Sequence, residues 1–137
     1  SPKHGYKPIM KAYTVKNYFK IKKQNQILKI LPFDVIHGMI KATGYIFDNV
    51  AYISDCNKIP LKSLKNLYNL DYLILDCLRR KKHPSHFNYD EALSLIKKIK
   101  PKKTILTNLH TDLDYKFLKR KLPKNIVPAY DGLSFNF

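Results

Sequence analysis

The chain has 137 residues, of which 45% are hydrophobic and 12% aromatic, and it carries a formal net charge of +16. This length suits one domain with a single core, and the apolar content excludes an intrinsically disordered chain. No apolar run approaches the roughly 20 residues of a membrane-spanning helix, and residues 1–10 lack the pattern of a secretory signal. The composition therefore predicts a soluble globular protein, with the cytoplasm as its expected location.

The positive charge comes almost entirely from lysine, because arginine occurs only at Arg79, Arg80 and Arg120. Basic surfaces bind nucleic acid by neutralising phosphates, but bidentate phosphate recognition favours arginine over lysine. The composition thus favours a solvated lysine surface, and nucleic acid is a possible but not favoured partner. The densest basic run, residues 79–82, directly precedes His83 and is expected to attract an anionic substrate to that region.

The first elements predicted along the chain are strands. Branched and aromatic residues concentrate in four segments, 12–19, 27–36, 44–47 and 50–54. The polar residues 22–25 separate the first two segments and indicate a hairpin, and Asp48-Asn49 permits a tight turn between the next two. A helix is predicted from Pro60 to Tyr68, with Pro60 in its first turn.

The second half of the chain alternates strands and helices. The strands predicted there are 72–75, 104–107, 126–127 and 133–137. Asn88, with Glu91 three positions later, caps a helix that ends at Pro101. Asp112 or Asp114 starts the last helix. This alternation predicts an α/β layered fold, in which polar residues at the carboxyl ends of strands meet at one edge.

Histidine and carboxylate side chains follow several of the predicted strands. They are His37, Asp55, Asp76, His83, His86, His110, Asp112 and Asp114. Imidazole and carboxylate groups are common metal ligands, although a histidine at a strand end can also serve only as a hydrogen-bonding group. Asp76, at the end of a buried strand, is expected to orient a histidine, and Asp112 and Asp114 are expected to start a helix. Cys56 and Cys77 lack a metal-binding spacing, which indicates buried free thiols.

A series of motifs in this order carries a family resemblance. The motifs are Ile53-Ser54-Asp55, Leu73-Ile74-Leu75-Asp76-Cys77-Leu78-Arg79, His83-Pro84-Ser85-His86-Phe87, residues 106–115 and Pro128-Ala129-Tyr130-Asp131-Gly132-Leu133. Together they resemble the carboxyl half of a metallo-β-lactamase-fold hydrolase, in the PhnP-like branch of cyclic-phosphate phosphodiesterases. The resemblance implies half of an αββα sandwich, with a mixed sheet and helices on one face. Residues 1–137 would then form a single incomplete domain, the carboxyl-terminal part of that fold.

The resemblance also assigns site residues. It implies that His37 binds a metal ion, that Asp55 bridges two metal ions, and that His86 lies near the substrate phosphate as a proton donor or charge stabiliser. Asn108 stands where many relatives carry the last metal histidine, and His110 follows two residues later. The last ligand is therefore Asn108 or His110, and imidazole is the better ligand for Zn²⁺ or Mn²⁺.

The activity implied is hydrolysis of a small cyclic or diester phosphate. Two ions, Zn²⁺ or Mn²⁺, would generate a bridging hydroxide for attack on phosphorus. His86 would protonate the leaving oxygen, and Arg79 or Arg80 would bind the phosphate. The His-x-His-x-Asp-His motif that supplies the first metal ligands in this family does not occur in the 137 residues. The parent protein is therefore expected to be a metal-dependent phosphodiesterase, and this chain alone is expected to be inactive.

The sequence also permits two alternative functions. One is an RNA-processing nuclease of the same fold, which would use the lysines to hold RNA. The other is a non-catalytic remnant that completes a partner's sheet. Half a sandwich exposes an apolar sheet face, so the expected partner is the missing amino-terminal half or a second copy of the chain, and no membrane partner is expected.

Overall fold

The protein is described by a computed structural model that covers residues 10–15 and 17–137. Its centre is a seven-stranded sheet whose strands follow one another in chain order. The strands are β1 (Phe19–Lys23), β2 (Gln26–His37), β3 (Ile40–Phe47), β4 (Val50–Ile53), β5 (Tyr72–Asp76), β6 (Lys103–Thr107) and β7 (Ile126–Pro128). The helices are α1 (Leu61–Leu64), which continues into the 3-10 turn Lys65–Leu67, α2 (Tyr89–Ile99) and α3 (Tyr115–Lys121). This mixed α/β architecture confirms the predicted fold class.

Strands β1 to β4 are antiparallel, and β4 to β7 are parallel. The β1–β2 hairpin turns through only Gln24 and Asn25, with Lys23 paired to Gln26. Gln24 has a φ of 52°, which such a tight turn requires. The strand predicted at 12–19 was therefore wrong, because β1 begins only at Phe19 and the short turn places the lysines of 20–23 in it. Lys16, within the predicted range, lies outside the described residues. An edge strand tolerates lysines of this kind.

The helices cover one face of the sheet and enclose a single core. The strands contribute Phe33, Val35, Ala51, Ile53, Leu73, Leu75 and Leu106, and the helical segments contribute Leu64, Leu67, Ala92, Ile96, Ile99 and Leu118. Leu73 and Leu75 alternate with residues of the opposite face, as the period of a strand requires. None of the helices among the described residues has the length and apolar content needed to span a membrane.

The opposite face of the sheet is aromatic and partly open. Phe19, Ile30, Tyr45, Phe47 and Tyr52 line a shallow cavity there. The end of the chain covers a neighbouring part of this face, where Phe135 stacks on Tyr72 with ring centres 4.6 Å apart and Phe137 contacts Phe47 at 5.3 Å. The strand predicted at 133–137 was wrong, because this segment contributes its rings to the sheet face and does not pair with a strand edge.

Helix α2 begins and ends where its sequence signals predicted. Asn88 Oδ1 accepts a hydrogen bond from the Glu91 backbone N–H at 2.8 Å, and the Glu91 carboxylate accepts one from the Asn88 N–H at 3.1 Å. The helix ends at Ile99, and Lys100 caps it in the left-handed conformation just before Pro101. The sequence left Asp112 and Asp114 as alternatives for the residue that starts α3. Asp114 is that residue, since it accepts the capping hydrogen bond from the Phe117 N–H at 2.8 Å.

The two thiols are inaccessible in the folded chain. Cys56 and Cys77 are fully buried and free, as predicted, and burial raises the pKa of each thiol to about 12. We expect neither to react with an aromatic disulfide reagent in the native protein near pH 8, because the thiolate is the reactive form. Both should react after denaturation. Absorbance at the released thiolate's wavelength checks this, and rapid labelling of the native protein would contradict it.

Candidate metal centre

The polar residues predicted at strand ends lie along one edge of the sheet. Strands β2, β4, β5 and β6 all run in the same direction, so their carboxyl ends form a common edge, here called the carboxyl edge. His37 ends β2, Asp55 follows β4, Asp76 ends β5 and Asn108 follows β6. Residues far apart in sequence are thereby placed within reach of one another.

Three of these side chains converge on one point. His37, Asp55 and His86 each offer a ligand atom, and these atoms lie within 4.8 Å of one another. His37 Nε2 is 3.2 Å from His86 Nε2, and Asp55 Oδ1 is 3.9 Å from His86 Nδ1. The His86 side chain is largely buried, while the Asp55 carboxylate is half exposed. The cluster therefore opens to solvent on the Asp55 side.

Asp76 fixes the orientation of His86. Its carboxylate is fully buried; Oδ2 accepts hydrogen bonds from His86 Nδ1–H at 2.7 Å and from the Cys56 backbone N–H at 3.0 Å. Oδ1 accepts from the Asn108 amide at 3.1 Å. Burial raises the pKa of the Asp76 carboxyl, and the donors around it oppose that shift. Since the proton of His86 is held on Nδ1, its Nε2 points at His37. The structure thus places Asp76 in direct hydrogen-bond contact with a histidine, the contact that its predicted orienting role requires.

The donor set fits a divalent transition-metal ion. Two bare imidazole nitrogens that face each other at 3.2 Å repel unless a proton or a cation lies between them. Two histidine nitrogens bound to one tetrahedral zinc ion are separated by about 3.3–3.4 Å, given Zn–N distances of about 2.0–2.1 Å. A half-exposed carboxylate completes a nitrogen and oxygen donor set of the kind that zinc and manganese accept.

Asn57 is a structural residue of this site that the sequence patterns missed. Its Oδ1 accepts from the Gly38 N–H at 2.9 Å, and its Nδ2 donates to the Pro84 carbonyl at 3.0 Å. Gly38 has a φ of 64°, and a Cβ there would lie 3.2 Å from the Ser85 Cβ. Asn57 thus joins the loops that carry His37 and His86, and a lone asparagine after a strand gives no sequence signal of such a contact.

The two arginines of the basic run are engaged within the protein. Arg79 donates to the carbonyls of Lys81 at 3.3 Å and Lys82 at 2.9 Å. Arg80 donates to the Asp112 carbonyl at 3.0 Å, and its guanidinium carbon lies 4.1 Å from the centre of the Phe117 ring. Both side chains stabilise loops in this arrangement, and phosphate binding by Arg79 stays a prediction.

The two candidates for the last ligand lie outside the convergent group. Asn108 has a φ of 60°, and its amide nitrogen donates to Asp76. His110 is mostly exposed, with its Nδ1 3.4 Å from Asp112 Oδ1. His83 also lies outside the group; its Nδ1 accepts from the Ser85 N–H at 3.3 Å, and its ring centre is 5.0 Å from that of His86. The choice between Asn108 and His110 stays open.

The mixed sheet, the helices on one face and the histidine and carboxylate cluster at the strand ends match the metallo-β-lactamase fold. Residues 7–108 match the family described as beta-lactamase superfamily domain. The chain belongs to this family, and its fold is PhnP-like.

Solved structures share this fold. A diphosphatase from the PhnP family is 39% identical with a TM-score of 0.79, over 86% of this chain and 46% of that one. The metallo-β-lactamase fold protein YhfI from Bacillus subtilis is 17% identical with a TM-score of 0.64, over 84% of this chain and 51% of that one. Human tRNase Z, short form, is 16% identical with a TM-score of 0.61, over 85% of this chain and 46% of that one. The chain thus spans about half the length of these proteins.

One curated protein is also similar in sequence. An octanoyltransferase from Porphyromonas gingivalis is 31% identical over 109 residues, which cover 77% of this chain and 22% of that protein. The similarity therefore concerns a minor part of that longer protein.

Proposed function

We propose that this chain is part of a metal-dependent phosphodiesterase that acts on a small cyclic or diester phosphate. The observation that carries the proposal is the convergence of His37, Asp55 and His86 at the carboxyl edge, with the two Nε2 atoms 3.2 Å apart. The similarity to a PhnP-family diphosphatase at 39% identity supports phosphate-ester chemistry. Zn²⁺ or Mn²⁺ suits the imidazole and carboxylate donors.

Each residue of the cluster has a proposed task. His37 and Asp55 hold the ion, and His86 offers a third donor at the same point. The bound ion would polarise the phosphoryl group and make hydroxide available near neutral pH. Asp76 keeps the Nδ1 proton of His86 in place, so that the unprotonated Nε2, 3.2 Å from His37 Nε2, can bind the ion. To protonate a leaving oxygen, His86 would first take up a second proton on Nε2 and act as the imidazolium. The basic residues 79–82 raise the local positive potential and attract the anionic substrate.

The site is proposed to be completed by another segment. The chain spans 46% of the PhnP-family diphosphatase and lacks a His-x-His-x-Asp-His string. We propose that it forms the carboxyl-terminal part of the fold, and that the further ligands come from an amino-terminal half, in the same polypeptide or in a partner chain. Such a half would also cover the open aromatic face around Phe47 and Tyr52.

Metal titration and hydrolysis assays together test the proposal. Calorimetry with Zn²⁺ and Mn²⁺ on the metal-stripped chain should show binding of an ion to the partial site. Hydrolysis of bis(p-nitrophenyl) phosphate and of cyclic nucleotides should appear when a polypeptide that carries the histidine motif is joined or added. If that complete protein binds metal ions and yet cleaves no phosphodiester, the proposal is wrong.

Replacing Asp76 by asparagine is expected to lower the metal affinity of the site by about 10- to 100-fold, the usual cost of losing a group that orients a metal-binding histidine. An amide cannot accept hydrogen bonds on both sides from His86, Cys56 and Asn108. Asp71→Asn is the matched control, because Asp71 precedes the same strand at its other end and pairs with Lys102 at 2.6 Å. Calorimetric titration of both variants measures the difference, and equal affinities would exclude this role of Asp76.

An RNA-cleaving activity at the same site is the second candidate. The observation behind it is the net charge of +16, since lysines can hold a polyanion without reading its sequence. Cleavage of a short RNA by the completed protein, with a rate that falls as salt rises, would support this activity.

A further inference from the structure

A second concentration of charge lies at the edge of the sheet opposite the carboxyl edge, where β6 and β7 begin and α2 and α3 end. We call this surface the basic end; its exposed basic residues are Lys97, Lys98, Lys100, Lys102, Lys103, Lys119, Arg120, Lys121 and Lys124. The segments 97–103 and 116–124 contain no aspartate or glutamate. Positive charge from two separate stretches of the chain is thus gathered on one surface.

The structure joins these two stretches directly. Strands β6 and β7 are parallel neighbours, and the Thr104 N–H donates to the Asn125 carbonyl at 2.8 Å. Between the end of α2 and the turn that follows α3 lies a cavity of about 390 Å³. Its lining combines the polar Lys97, Lys100 and Asn125 with the apolar Leu93, Ile96, Pro101, Pro123 and Ile126. The basic end is therefore a concave surface with an apolar part.

Helix dipoles explain only some of this charge. Basic residues in the last turn of a helix interact favourably with its carboxyl end. This interaction accounts for Lys97 and Lys98 of α2 and for residues 119–121 of α3. Lys102, Lys103 and Lys124 lie outside the helices. In the part of the chain that the structure describes, only Lys102 of the basic end has an ion-pair partner, Asp71, whereas elsewhere Asp34 contacts both Lys41 and Lys62.

We propose that the basic end binds single-stranded nucleic acid, with lysines on the phosphates and a base in the cavity between α2 and the α3–β7 turn. Single-strand sites combine a positively charged groove that follows the backbone with side chains, mostly aromatic, on which the bases stack. Here the aliphatic side chains and prolines of the cavity take the place of aromatic ones. Lysine point charges suit phosphate contacts that do not read sequence. Strands of five residues separate this surface from the metal cluster, a distance of about 17 Å at about 3.3 Å per residue. Binding there does not rest on the proposed hydrolase activity.

Fluorescence anisotropy with a labelled oligouridylate of about 12 nucleotides, in EDTA, tests this binding. With about five phosphate contacts, the slope of log K against log salt is expected to be about −3.5. The triple variant Lys97→Ala, Lys100→Ala and Lys124→Ala should reduce that slope by about 2, since each lost contact with a single strand contributes about 0.7. EDTA removes any contribution from the metal site, so the result is independent of it.

A matched triple variant distinguishes binding at the basic end from a general effect of the positive net charge. Lys20→Ala, Lys22→Ala and Lys23→Ala remove the same charge from β1, at the other side of the sheet, and should leave both affinity and slope nearly unchanged. Circular dichroism confirms that all variants are folded. Equal losses in the two triples, or undetectable binding by the unmodified chain, would overturn the proposal. Tighter binding to vesicles of mixed phosphatidylcholine and phosphatidylserine than to RNA would also overturn it and identify a membrane surface as the ligand.

Discussion

Asp55→Ala is expected to lower the affinity of the chain for Zn²⁺ by about 100-fold or more, because even the loss of a group that only orients a ligand costs about 10- to 100-fold. Asp55 supplies the only carboxylate oxygen in the convergent group within the described residues. Without it, two imidazoles remain, and a cation between their Nε2 atoms has no negative ligand to offset its charge. Calorimetric titration of the metal-stripped protein measures the change.

Two further variants serve as a control for Asp55→Ala and as a test of the last ligand. Asp131→Ala removes an exposed carboxylate outside the convergent group and should leave the affinity unchanged. His110→Ala distinguishes the two candidates for the last ligand, since a ligand role predicts a loss comparable with that of Asp55→Ala. Retention of full Zn²⁺ affinity by Asp55→Ala would show that the ion binds elsewhere.

Leu75→Ala is expected to lower the free energy of unfolding by about 2–5 kcal/mol, the range for leucine-to-alanine changes in a packed core. Leu75 is fully buried in β5, between the parallel strands and the helices. Its neighbour in the chain is Asp76, so the cavity also loosens the support of the metal centre. Urea unfolding in EDTA measures the change without a contribution from bound metal.

An exposed leucine provides the control for this change. Leu61, at the start of α1, is 82% exposed, and Leu61→Ala should alter the free energy of unfolding by no more than about 0.5 kcal/mol. The urea m-value should stay constant for both variants if only stability changes. A loss below about 1 kcal/mol for Leu75→Ala would mean that the core collapses around the missing side chain.

Elements with strong local sequence signals were predicted correctly. The capping box of Asn88 and Glu91 was predicted correctly because groups adjacent in sequence form it. Strand β5 was predicted correctly because a continuous apolar run is typical of a parallel strand covered on both faces. The first hairpin was misplaced, since lysines read as turn residues and an edge strand accepts them. The segment 133–137 has the alternating aromatics of a strand, yet its rings pack on Tyr72 and Phe47. The local sequence does not distinguish a segment that pairs as a strand from one whose rings pack on the face of a sheet.

The site was predictable only in part for a similar reason. The strand pattern predicted that His37, Asp55, Asp76 and the loop containing His86 lie at one edge of the sheet, and the family resemblance supplied the expected roles of these residues. The contact between His37 and His86 joins residues separated by 49 positions, and it depends on the path of a loop that Asn57 anchors. The positive φ of Asn108 and the pairing of His110 with Asp112 depend on the loop after β6. Spacing in the sequence does not report such loop paths.

The strictly sequential strand order has a consequence for how the protein is made. Each strand from β2 onward pairs with the strand that precedes it in the chain. A polypeptide that leaves the ribosome from its amino end therefore always has the partner of the newest strand already outside. The sheet can grow one strand at a time during translation: β1 to β4 close through short turns, and each of the parallel strands β5, β6 and β7 is added after a crossover that contains a helix. His37 and Asp55 are synthesised with and just after their strands, before His86, so the convergent group of these three residues forms only once the loop after β5 has left the ribosome.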